Sequence, residues 1–118
     1  MPEIAGILER LIADANRAGG VIAFVRLDEL AAAADRHLEW PAGFKDTAAR
    51  RDVYNLLREL NLTAANARAV EGVANRCIGR NDPTASALVA NRRRELLEEF
   101  RALSAHARRW EHLADELR

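Results

Sequence analysis

Three histidines, one cysteine and a run of three arginines are the side chains of this 118-residue chain whose types invite chemistry. His106 and His112 stand six apart, roughly 240° around a helix, and so cannot share one ligand face. His37 belongs to another segment. No histidine has a carboxylate three residues before it, so the Glu-x-x-His spacing by which helical bundles hold paired metals is missing. Cys77 is the only cysteine, which excludes an internal disulfide and a cysteine-built zinc site and suits a reducing compartment. Its expected place is the inward face of a helix, as a small buried hydrophobe. No glycine-rich phosphate loop is present, and no serine or threonine stands beside a suggestive base. The expectation is therefore no metal, no cofactor, no small-molecule substrate and no enzymatic activity.

Two further constellations bear on nucleic acid. Val53 to Gly72 fits a helix-turn-helix register, with Leu56 and Leu60 facing inward, Asn61 at the turn, Leu62 plugging it, and Ala67 and Val70 inward on the second helix. Asn61 suits the turn because asparagine tolerates a positive φ better than most residues. Over about 20 residues this resembles the helix-turn-helix of DNA-binding regulators. It departs at Leu57, where a small residue normally lets the helices approach. The resemblance implies that Asn66 and Arg68 face base edges and that Arg50, Arg51 and Arg76 contact phosphates. Separately, Arg101 and His106 form an Arg-x4-His spacing that resembles the active-site motif of the HEPN ribonucleases, with Ala102 where a polar residue is usual.

The densest charge cluster is Arg92-Arg93-Arg94, crowded by Glu95, Glu98 and Glu99. It reads as a solvated girdle of ion pairs, with Arg93 on a heptad core position where a polar group can set register. Around it runs the longest pattern in the chain. Val89, Leu96, Phe100, Leu103, Ala107, Trp110, Ala114 and Leu117 recur with heptad spacing after Pro83. An unbroken helix from Pro83 to Leu117 would span roughly 52 Å, against a diameter of roughly 35 Å for a rounded globule of this length. Its apolar seam would then need a surface outside the protomer.

Five helices are expected to carry these groups. Residues 2–18 repeat Ile4, Ile7, Leu8, Leu11, Ile12 and Ala15 on one face and stop at Gly19-Gly20. A lead-in at Val21–Val25 precedes a second helix marked by Leu27, Leu30, Ala31, Ala34 and Leu38, ended by the Trp40-Pro41-Ala42-Gly43 loop, where Trp40 plugs the core. Asp46 or Thr47 caps a third helix, which Asn61-Leu62 breaks, and Thr63 caps a fourth that ends at Gly79. Asp82 as N-cap and Pro83 at the first helical position open the fifth.

Composition agrees with one all-α domain over residues 1–118. Hydrophobic residues make up 49% and aromatics 5%, so the core is aliphatic. With 18 basic and 18 acidic residues the net charge is zero, which argues against a generic polyanion binder. No stretch approaches 18 uncharged apolar residues, and the N-terminal segment lacks the form of a signal peptide, so a cytoplasmic protein without a membrane partner is expected.

The function expected from these features is a non-enzymatic helical protein–protein interaction or adaptor module, homodimeric or bound to a helical partner. Leu96, Phe100, Leu103, Trp110 and Leu117 form its expected interface. The alternative is a dimeric helix-turn-helix DNA-binding regulator using residues 53–77, and a HEPN-like ribonuclease stands third.

Overall fold

The computed structural model describes residues 3–77 and 79–117, with side chains described to residue 113. Its elements are α1 (Glu3–Arg17), α2 (Phe24–Arg36), a 3-10 turn (Trp40–Gly43), α3 (Thr47–Arg76) and α4 (Pro83–Leu117). Each helix packs on two others, in the order α1, α2, α3, α4 and back to α1, which is the neighbour pattern of an up-and-down four-helix bundle.

Local signals place most boundaries. In α1 the buried residues Ile4, Ile7, Leu8, Leu11 and Ala15 fall three and four apart, one stripe of a 3.6-residue period. Gly19 (φ 67°) and Gly20 (φ 98°) then adopt the left-handed region that a side chain would strain, and Gly20 N–H donates back to the Ala15 carbonyl at 2.7 Å. Asp46 caps α3 by accepting from Ala48 N–H at 2.9 Å. Asp82 caps α4 by accepting from Thr84 N–H at 3.1 Å and Ala85 N–H at 3.2 Å, with Pro83 first in the helix.

The helix count differs from the expectation. The segments expected as separate third and fourth helices are one helix of 30 residues, α3, running through Asn61, Leu62 and Thr63 without a break. Among the described residues no non-glycine has a positive φ, so Asn61 makes no turn. The physical reason is that asparagine and threonine weaken a helix interior by only about 0.6 kcal/mol each relative to alanine. Against that, Val53, Leu56, Leu57, Leu60, Ala64 and Ala67 bury one continuous stripe across the supposed break. A helix-turn-helix at residues 53–77 is therefore absent, and with it the recognition helix that would have carried Asn66 and Arg68.

Continuity of α3 also decides what covers α4. The 35 residues of α4 run unbroken through Arg92-Arg93-Arg94. The protein is a rod, 55 × 21 × 19 Å with a radius of gyration of 15.8 Å, so its long axis matches the length of α4. Leu96 and Phe100 are fully buried in the protomer's own core, with Leu103 and Trp110 half-buried against it. Trp110 stacks on Phe44 at 5.6 Å between ring centroids, and Trp40 meets Phe44 edge-on at 5.2 Å, which plugs the 3-10 turn into the end of the bundle. The expected interface is thus corrected at Leu96 and Phe100, which are interior, while Leu103 and Trp110 lie half-buried against the same core. Leu117 lies outside the residues whose side chains are described.

Candidate functional site

α1 and α2, at 15 and 13 residues, are about half as long as α3 and α4. Ion pairing of Arg108 with Glu9 and the hydrogen bond from Ala5 N–H to Glu111 at 3.3 Å hold α1 against the C-terminal half of α4. The far end of the α3–α4 hairpin therefore projects. Among the described residues, none between 72 and 95 is buried.

A single interaction locks the root of this projection. Glu71 on α3 is 3% exposed and receives both Nε (2.8 Å) and Nη2 (2.6 Å) of Arg93 on α4. Its Oε2 also accepts from Ile22 N–H at 3.1 Å, so one carboxylate ties the α1–α2 connection to both long helices. The bond to Glu71 holds the Arg93 guanidinium above its already high ordinary value. Beside it a cleft of about 410 Å3, bordered by Val21, Asn75, Cys77 and Ser86, opens on one side of the hairpin. Cys77 is half-buried at the C-cap of α3, not enclosed in the core as expected. Every oxygen of Glu71 already has a donor, so the cleft's charged pair is structural.

The opposite side of the hairpin is apolar and open. Ala69, Val70 and Val73 of α3 and Leu88 and Val89 of α4 form a shallow groove, with Arg92 at its edge. Leu88 is 65% and Val73 40% exposed. Each helix presents these residues at helical spacing: Leu62, Ala65, Ala69 and Val73 along α3, then Leu88, Arg92, Glu95 and Glu99 along α4. Arg92 pairs with Glu95 at 3.0 Å and lies 3.7 Å from Glu99, as the expected charged girdle would.

A second polar cluster sits at the other end of the rod. Asp52 Oδ2 accepts from His106 Nε2 at 2.8 Å and from Trp110 Nε1, pinning α4 to α3 beside the aromatic plug. Burial pushes the Asp52 carboxyl up, but the two hydrogen bonds and the nearby Arg109 outweigh it and leave the group below its ordinary range. Because the folded carboxyl titrates below its unfolded value of about 3.9, its stabilisation is fully present above that pH and is lost as pH falls through the folded pKa. Thermal midpoints followed by circular dichroism should therefore drop below about pH 4, and Asp52→Asn should lose part of that drop. Glu3, held low by His37 and Arg36, and Asp14, held low by Arg26, act in the same direction. An acid profile unchanged in Asp52→Asn would show that this carboxylate does not hold the two helices together.

The other residues singled out by sequence are dispersed. Arg68 pairs with Asp28 of α2, Arg50 donates to the Phe44 carbonyl, Asn66 is half-buried, and Arg51 and Arg76 are exposed. These five are spread from residue 50 to residue 76 of one continuous helix and do not sit on a short recognition helix. Arg101 is exposed while His106 turns to Asp52; five residues apart, they diverge by roughly 140° around α4 and do not converge within the protomer. Among the described residues no cluster of three metal-ligating side chains occurs, and no helix is long and apolar enough to cross a membrane.

Sequence reasoning missed Glu71, Val73 and Leu88. Glu71 continues the inward stripe Leu60, Ala64, Ala67 by four residues, a signal visible only if α3 is read as unbroken. No protein-family model, curated protein or solved structure matches the chain.

Proposed function

We propose that the protein is a non-enzymatic helical interaction module that self-associates through the open face of the α3–α4 hairpin. The observation that carries this reading is the contiguous exposure of Val73 and Leu88 on a projection with no buried residue of its own among those described. Isolated exposed aliphatics are ordinary on any protein, but a contiguous apolar face on an otherwise wet hairpin marks a surface for a partner. Two helices alone bury little, so covering this face would also stabilise the projecting turns. The proposed interface keeps α4 as its centre but lies on its N-terminal third, some two turns before Leu96.

Light-scattering mass as a function of concentration tests the proposal. The wild type should rise from the 13.1 kDa protomer toward twice that mass, while Leu88→Glu should stay at the protomer value with its helix content intact. A wild type that stays monomeric at every concentration contradicts it.

A further inference from the structure

The charges that flank the apolar face are arranged by sign, and this bears on how two copies would meet. Toward the tip stand Arg76 and Arg80, which form no ion pair among the described residues. Toward the body, on the same stripe as Leu88, stand Glu95 and Glu99, which share the single cation Arg92. The face is therefore basic at one end, apolar in the middle and acidic at the other.

The bonded pair Glu71–Arg93 marks a common height on the two antiparallel helices. At about 1.5 Å per residue, Arg76 lies roughly 7–8 Å from that height toward the tip, and Glu95 roughly 3 Å from it toward the body. Their midpoint is roughly 2 Å on the tip side. The groove residues Ala69, Val70, Val73, Leu88 and Val89 have the same mean height to within roughly 1 Å by the same rise.

We infer that two copies dock antiparallel on this face, about a two-fold axis through the Val73–Leu88 patch, with Arg76 of each copy at the height of Glu95 of the other. This inference rests on the self-association proposed above. The axis makes this pairing twice, so opposite charges stand level on either side of a central apolar seam. Parallel docking sets Arg76 level with Arg76 and Glu95 level with Glu95, so like charges stand at the same height at both ends. Isologous pairing of one self-complementary patch is the ordinary route to a closed dimer. The chain's zero net charge leaves no overall repulsion to oppose it.

Sedimentation equilibrium on the full chain reads the test as a dissociation constant. Arg76→Glu and Glu95→Arg should each weaken the dimer about tenfold, and the double variant Arg76→Glu/Glu95→Arg should recover wild-type affinity. Added salt should weaken the wild type. Circular dichroism on each variant confirms that these exposed substitutions leave the helices formed. If Leu88→Glu dissociates the dimer while both charge reversals leave it unchanged, antiparallel docking is overturned and self-association survives. If both singles weaken the dimer and the double falls further, the cross-copy pairing is wrong. A wild type that never dimerises overturns both ideas.

Discussion

Phe100→Ala is expected to lower the unfolding free energy by about 3–5 kcal/mol and the thermal midpoint by about 15 °C. The side chain is 0% exposed and sits in the aliphatic core with Leu96, Leu97 and Ala107, so truncation removes a large transfer term and leaves a cavity between long helices. Ordinary domains hold only about 5–15 kcal/mol, so this change consumes a large share of the margin. Association of the folded fraction should be unaffected. Urea unfolding gives the first quantity and light scattering the second. A variant of wild-type stability that no longer associates would return the Phe100 seam to the role of an intermolecular surface.

Glu71→Ala should be nearly as damaging, at about 3 kcal/mol, for a different reason. It strands the Arg93 guanidinium at the root of the hairpin and removes the acceptor for Ile22 N–H. Breaking one partner of an ion pair withdrawn from water leaves an uncompensated charge, whereas replacing both partners with apolar residues of similar volume often does little harm. The Glu71→Leu/Arg93→Met double variant should accordingly be much less destabilised than Glu71→Leu or Arg93→Met alone. A double-mutant cycle read by urea midpoints decides this. Additive losses, with the double variant the weakest, would mean that the pair is not coupled.

What could be read from the amino acids alone were features written locally. Gly19-Gly20 needs φ angles that only glycine adopts freely, Asp46 and Asp82 cap through their own side chains, and Pro83 suits a first helical turn. These signals required no knowledge of the rest of the fold. Asn61-Leu62-Thr63 carried a local signal as well, and it pointed the wrong way. A modest propensity penalty there is outweighed by a buried stripe whose other side comes from α2 and α4. That one misplaced break had consequences. With α3 cut in two, no partner of matching length existed for α4, and its seam seemed to need a second molecule. With α3 whole, at roughly 45 Å, the seam from Leu96 to Trp110 is sheltered by the protomer itself. The same continuity turns Glu71 inward to meet Arg93, and the Phe44–Trp110 stack links two segments 66 residues apart that no periodicity relates.

The proposed self-association centres on Val73 and Leu88, on a projection that α1 and α2 are too short to reach, and not on the C-terminal seam that the protomer covers.

Amide chemical shifts recorded while the protein is diluted test this claim most directly, because they report on every residue at once. Residues 69–76 and 85–92 should shift or broaden as concentration rises, while those from 100 to 110 stay fixed. Shifts independent of concentration across the hairpin, or changes centred on Phe100 and Trp110, would contradict it.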